Sequence, residues 1–565
     1  MRRTIWAFAA ALSLGACTTL PNSAANAPGV VSAADPRAAE AGATMLRQGG
    51  SATDAVLATL LALTVVEPQS SGIGGGGFLV ASNARGNVST YDGREEAPAA
   101  ATPNWFFKNG VAMTTREAVP GGKSVGVPGN VRMMALAHRA HGKLAWKALF
   151  APAIGLARDG YLITPRMRAM LDRSREIAAL TGEGRSLFFA ADGEPLPVGT
   201  RVRNPRLAAF LTDLANRGPD SFYVGPNAQA ISATVRTAPR NPAPMTAGDL
   251  ASYDAKAREP VCGLYRGHRV CGMGPPSSGA TTVFAILKQI ERFDLAALGP
   301  NSPVAWHLIA ESMRLAFADR DLYLADADHV PVPVAGLTDP TYLASRSALI
   351  APTATMATVV AGRPAGARRM ALSPQPVEQG TSHFVATDRA GNVASLTSTI
   401  ESVFGSGLMV NGYYLNNELT DFNIIPSVGG IPVANRVEAG KRPRSSMSPT
   451  IVFAPDGHVR LAVGAAGGAT IIAQVAKSII AVVDWRLSAQ QAIALPVIYS
   501  PGATVYVEKG SAHEAMIPAL VALGHSVEAR APGFKANAVE WVGDARSGRW
   551  VGAADPRSEG ASVRE

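Results

Sequence analysis

Gly380-Thr381-Ser382-His383-Phe384 is the most telling segment of the chain. A small Gly-Thr junction opens a predicted strand, Ser382–Thr387, and a polar turn follows at Asp388-Arg389-Ala390-Gly391-Asn392. A second predicted strand, Val393–Thr399, carries Thr397 and Thr399. A threonine hydroxyl is a weak nucleophile and needs a base beside it. If the chain is cut before Thr381, that residue's own α-amino group becomes free. Such a group titrates near about 7.7–8.0, so a neutral fraction exists at physiological pH. Nucleophile and base then share one residue, and no His or Asp partner is needed. Gly380 suits the cut sterically, crowding neither the hydroxyl nor the peptide it attacks. Alone, a Gly-Thr pair reads as the start of a strand. The ordered set downstream is what gives it weight.

That set runs Tyr414-Leu415-Asn416-Asn417-Glu418, Asp421-Phe422, Lys441-Arg442-Pro443-Arg444-Ser445-Ser446-Met447-Ser448-Pro449 and Gly467-Gly468. Taken in order with the Thr381 segment, it resembles the γ-glutamyltranspeptidase (γ-glutamyltransferase) family, and the resemblance covers the chain from about Ala38 to its C-terminus. It implies an α+β fold, the N-terminal-nucleophile αββα four-layer sandwich, formed jointly by two subunits after self-cleavage at Gly380/Thr381. Residues 34–380 would be the large subunit and 381–565 the small subunit carrying the nucleophile, held together as a heterodimer. The implied activity is γ-glutamyl transfer or hydrolysis on glutathione or related small molecules, with water or an amino-acid or peptide amine as acceptor. It implies no metal and no cofactor.

The resemblance also assigns roles. Thr399 matches the second threonine that positions the nucleophile; its plainer reading is β-branched strand propensity. Arg94, in Tyr91-Asp92-Gly93-Arg94-Glu95-Glu96-Ala97-Pro98, matches the arginine that grips the substrate α-carboxylate. The guanidinium fork suits that task. Asp421 matches the acid that binds the substrate α-ammonium group, and Glu418 and Glu401 match two positions that help to hold it. Three carboxylates are costly together unless a cation sits among them, which favours a substrate with a positive group. Ser445 and Ser446 match the serine pair that hydrogen-bonds the α-carboxylate. Gly467 and Gly468, before an apolar helix, match the pair whose N–H groups stabilise an oxyanion. One departure concerns the lid: the interval between Asp421 and Ser445 contains no Tyr, so a lid loop reads as shortened or absent.

Composition bounds the rest. An apolar share of 47% over 565 residues assures a sizeable core. The net charge of +9 is modest, and its densest runs, Arg166–Arg175 and Arg363–Arg369, read as solvated surface. No aromatic-interleaved basic stripe accompanies them, so no nucleic-acid partner is expected. Arg2 and Arg3 precede an apolar run, Ile5–Leu14, that ends in Leu14-Gly15-Ala16-Cys17. This reads as a lipoprotein signal peptide over 1–17, with Cys17 the lipidated mature N-terminus. The expectation is an exported bacterial lipoprotein facing the periplasm, at the outer membrane, touching the membrane only through its lipid. Residues 18–33 read as a flexible tether. Cys262 and Cys271 flank a hairpin-like segment and either form a disulfide or remain two thiols.

Further expectations are helices at Ala38–Arg47, at Ser51–Val66 with Ser51 as N-cap, from about Val304, and at Ala469–Val483. A strand is expected at Phe78–Ala81, and a hairpin, Thr450–Ala454 with Val459–Val463, turns at Pro455-Asp456-Gly457. Later strands are expected at Thr504–Val507, Ser526–Ala529, Ala538–Val542 and Arg549–Ala553. The run Gly72–Gly77 follows a helix and precedes a strand, the reverse of a dinucleotide loop. His138 and His141 lack a third ligand. Two rival functions stand. A cephalosporin (glutaryl) acylase shares the fold and nucleophile, but its acyl group has no α-ammonium for Asp421 and Glu418 to hold. A non-catalytic lipid-anchored binding relative would be expected to have lost Thr381, Thr399 or the Gly pair. A serine hydrolase would need a nucleophile elbow that is missing.

Overall fold

The computed structural model describes residues 26–376, 380–531, 533, 535–545 and 547–565. The signal segment and Cys17 lie outside the described residues. Ser382–Thr387 and Val393–Thr399 both form, and they pair antiparallel at the centre of a seven-stranded sheet. Its order is Ala561–Arg564, Val30–Ala33, Ser382–Thr387, Val393–Thr399, Gly76–Ser82, Val88–Asp92 and Lys256–Arg258. A second, six-stranded sheet runs Arg549–Ala554, Lys535–Val542, Val459–Ala466, Thr450–Phe453, His268–Gly272 and Val261–Tyr265. Both sheets mix strands from before and after Gly380, so a cut there would leave two interleaved chains.

Side-chain alternation builds the layers. Leu79, Ala81, Phe384 and Ala386 pack on one side with Ala52–Val66 and Pro36–Arg47. Phe78, Val80 and Val385 turn the other way, into a core shared with Ile451 and Val463 of the second sheet. That sheet is covered in turn by Gly279–Ile290, Pro303–Tyr323 and Thr470–Val483. Period-two alternation on central strands therefore feeds two cores, which is the αββα order of layers. Each large apolar side chain fully buried in this way contributes about 1.5–3 kcal/mol.

Helix Ala52–Val66 is buried along its whole length, because it is apolar all round. Ser51 caps it through a reciprocal box with Asp54. Ser488 and Gln491 form a second such box at the start of helix Ala489–Ala494. Cys262 and Cys271 face each other on adjacent strands with Cα atoms 4.1 Å apart and are disulfide-bonded. His138 and His141 bond to the Leu144 carbonyl and the Tyr91 hydroxyl.

One expectation needs correction. The tether does not extend to residue 33: Val30–Ala33 is a buried strand between Ser382–Thr387 and Ala561–Arg564. The Ala/Ser-rich composition masked a Val-Val pair that a sheet interior accommodates well. Between Ser347 and Ser382 the described residues hold no helix or strand.

Candidate active site

The ladder pairs His383 with Thr397 and Ser382 with Ser398, so Thr381 and Thr399 are the next residues of the two chains beyond its last pair. Thr399 is held from its other edge by Gly76. Its hydroxyl accepts a 2.7 Å hydrogen bond from the Glu401 main chain.

The junction itself is distorted. Gly380 has φ +27°, and a Cβ there would fall 1.9 Å from the Glu401 carbonyl oxygen, so only glycine fits. Thr381 has φ +139°, where a β-branched residue is strained by roughly 1–3 kcal/mol. That angle is defined by the Gly380 carbonyl carbon, so breaking the 380–381 bond removes the constraint.

Gly467 and Gly468 turn the chain from strand Val459–Ala466 into helix Thr470–Val483, with φ of +124° and +59°. Their carbonyls accept from Thr470 and Ile471. Their own N–H groups donate to no acceptor among the described residues. Gly467 shares with Gly380 and Thr381 the wall of a cavity of about 470 Å³. Ser70, Val403, Thr470 and Glu508 line it, with Met170, Tyr499 and Tyr506 contributing apolar surface. Arg166, Arg173 and Arg530 also line it. Two arginines of a run read as solvated surface thus belong to the cavity.

The other expected site residues form a separate, closed network. The fully buried Arg94 pairs through Nη1 with Glu418 and through Nη2 with Asp421, and Glu95 is 3.8 Å away. Arg94 also donates to the carbonyls of Pro443 and Arg444, each at 3.1 Å. Ser445 and Ser446 follow directly: the Ser445 hydroxyl accepts from Met447 N–H at 3.1 Å, and the Ser446 hydroxyl accepts from Arg320. None of Arg94, Glu418, Asp421, Ser445 or Ser446 lines the cavity. Glu401 spans the two groups: its main chain touches Gly380 and Thr399, and its carboxylate accepts from Asn417 and Ser402. The cation among these carboxylates is therefore Arg94 itself. Burial still dominates: it pushes Glu95 up to about 7 and Glu418 well above the usual carboxylate range, with Arg94 opposing both.

Sequence reasoning missed a buried group behind the nucleophile. Ser382 donates to Glu67 at 2.7 Å, and Lys535 donates to both Glu67 oxygens, at 3.0 and 2.8 Å, and to Ser382 at 3.1 Å. Glu67 directly follows the apolar helix Ala52–Val66 as its C-cap, a position with no chemical signature of its own. Nothing local marks Lys535, which the second sheet delivers.

The gamma-glutamyltranspeptidase family model matches residues 38–564. The glutathione hydrolase proenzyme of Bacillus subtilis (strain 168) is 37% identical over 546 residues, spanning 95% of this chain and 91% of that protein. The glutathione hydrolase proenzyme of Escherichia coli (strain K12) is 34% identical over 546 residues, 94% of this chain and 90% of that one. Among solved structures, cephalosporin acylase from Bacillus halodurans matches with a TM-score of 0.83 at 26% identity, over 98% of this chain and 99% of that one. With the family's sequence pattern running through both sheets, this chain belongs to the γ-glutamyltranspeptidase family.

Proposed function

We propose that the chain cuts itself between Gly380 and Thr381 and then acts as a γ-glutamyl transferase and glutathione hydrolase. The observation that carries this reading is the strained Gly380-Thr381 junction, which shares the end of the ladder with Thr399 and one cavity with Gly467. In maturation the Thr381 hydroxyl adds to the Gly380 carbonyl carbon. The C–N bond breaks, the nitrogen takes the proton, and water hydrolyses the resulting ester. Residues 34–380 and 381–565 then form the two subunits. In turnover the new α-amine takes the hydroxyl proton as the oxygen attacks the γ-carbonyl. Gly467 and Gly468 N–H groups hold the oxyanion. The leaving amine takes the proton, and a γ-glutamyl ester remains for water or an acceptor amine to resolve. Thr399 keeps the nucleophile in register.

In this reading Arg94, Glu401, Glu418, Asp421, Ser445 and Ser446 form the α-amino-acid site, and the Arg94 pairs must open for a substrate to enter. The substrate's α-carboxylate would replace Glu418 and Asp421 on Arg94, freeing those acids for its α-ammonium group. One observation favours the acylase reading: Arg94 is already paired with acids, while three arginines line the cavity, which suits a glutaryl carboxylate. Assaying the purified protein with γ-glutamyl and glutaryl anilides separates the two. Faster turnover of γ-glutamyl anilide supports the transferase, and faster turnover of the glutaryl compound supports the acylase.

The Leu14-Gly15-Ala16-Cys17 run supports export and lipid anchoring through Cys17, with the enzyme facing the periplasm from the outer membrane. Palmitate labelling of the wild type, lost in Cys17→Ala, tests it.

A further inference from the structure

Three buried groups behind the nucleophile take no part in the chemistry above. Glu67 ends helix Ala52–Val66, Ser382 follows Thr381, and Lys535 opens a strand of the other sheet. All three are at most 3% exposed. Every contact is a charge-assisted or hydroxyl hydrogen bond between 2.7 and 3.1 Å. The cluster also bridges the proposed cut, with Glu67 on the large subunit and Ser382 and Lys535 on the small one.

We infer that the Glu67–Lys535 pair positions the nucleophile, clamping Ser382 across the subunit boundary and setting by its charge balance the protonation of the Thr381 α-amino group. The inference rests on the N-terminal threonine reading above. The charged groups around Lys535 are Glu67, Arg166, whose Nε is 3.7 Å from Glu67, and Asp35, itself paired with Arg37. Around Lys535 two cations face one otherwise unpaired anion; the cavity that Thr381 lines adds Arg173 and Arg530 against Glu508, which Arg557 pairs, and Glu401 beside Gly380, so the local balance stays positive. A positive surrounding disfavours the ammonium form of a nearby amine and keeps the free base available. Lys535 Nζ bonds the hydroxyl of the next residue, which puts it within roughly 10 Å of the Thr381 nitrogen. Over such a distance one charge in a partly buried site moves a pKa by about one unit. Burial lowers Lys535 itself to about 8, with Glu67 opposing that shift, so it holds its charge on the acid side of about pH 8, where the limb is read.

The test is the acid limb of kcat/KM against pH, read on whichever anilide the mature enzyme turns over. Lys535→Met removes a cation and should move the limb up by about one pH unit. Glu67→Gln, made in the Lys535→Arg background so that the cation cannot lose its proton, removes the anion alone and should move it down by a similar amount. Lys535→Met with Glu67→Gln should return close to wild type, and Lys535→Arg alone should keep the wild-type limb. Should Lys535→Met fail to fold, Lys535→Arg with and without Glu67→Gln still decides the matter. Opposite-signed shifts support the inference, because a purely structural clamp would lower rates without moving the limb in two directions. Unmoved limbs, or limbs moved the same way, overturn it. A wild type that stays uncut overturns the N-terminal threonine reading, and this inference with it.

Discussion

Arg94→Met is the substitution whose consequence the structure makes most definite. The guanidinium is fully buried, in contact with Glu418 and Asp421, and 3.8 Å from Glu95. Methionine fills much of the same space and carries no charge, so three carboxyl groups lose their shared cation. Breaking a buried pair from one side costs about 3–5 kcal/mol, because the remaining charge is left uncompensated. At roughly 2 cal/mol/K per residue, unfolding entropy for a chain this long is about 1.1 kcal/mol/K, so Tm should fall by about 3–5 °C. The loss should depend on pH. In the wild type burial pushes Glu95 from its usual 4.5 up to about 7, with Arg94 opposing the rise. The fold therefore keeps a proton that the unfolded chain releases, and stability falls as pH rises from 4.5 towards 7. Without Arg94 the carboxyls rise further, so the Tm deficit should be larger at pH 8 than at pH 5. Melting curves at both pH values, in a Thr381→Ala background that prevents cleavage from blurring the transition, measure this. An equal Tm in variant and parent at pH 8 would refute the buried ion-pair network and restore a guanidinium free to meet substrate.

Other outcomes follow from the same geometry. Gly380→Ala puts a methyl group 1.9 Å from the Glu401 carbonyl; displacing the scissile carbonyl by about 1 Å should slow maturation about 100-fold, seen in a gel time course of the purified precursor. Thr399→Val keeps the shape but loses the acceptor for Glu401 N–H, costing about 1–3 kcal/mol; kcat should fall with KM nearly unchanged. Arg173→Gln with Arg530→Gln removes two cations from the cavity. This pair should lower kcat/KM for glutathione, whose leaving group carries a carboxylate, more than for a neutral γ-glutamyl anilide. Replacing both Cys262 and Cys271 by Ser opens a short loop with ends nine residues apart, worth about 2.7 kcal/mol in the chain-entropy account, and Tm should drop by a few degrees.

Much of this was legible in the sequence where local chemistry decides the outcome. The two strands around the Asp388–Asn392 turn, the Ser51 cap, and the glycine turn before helix Thr470–Val483 all came from short-range signals. Each is set by a capping hydroxyl, a turn residue or side-chain alternation. The placing of Thr381 and Thr399 at one end of the ladder needed the register, which only a formed sheet fixes. Val30–Ala33 was hidden because four small or β-branched residues resemble tether until flanking strands claim their hydrogen bonds. Lys535 carries no local signal, since its partners stand hundreds of positions away in sequence. The arginines of the 166–175 run looked like solvated charge, because sequence spacing says nothing about which of them a cavity borrows. Arg94 was named through resemblance, while its pairing with Glu418 and Asp421 emerged only from packing.

The most direct test of the central claim is N-terminal sequencing of the small fragment from purified wild type, beside Thr381→Ala. The wild type should give a fragment beginning Thr-Ser-His-Phe, the variant a single uncut chain, and γ-glutamyl turnover should appear only where the cut has occurred. A wild type that stays intact, a cut at another bond, or a Thr381→Ala chain that still divides would contradict the claim.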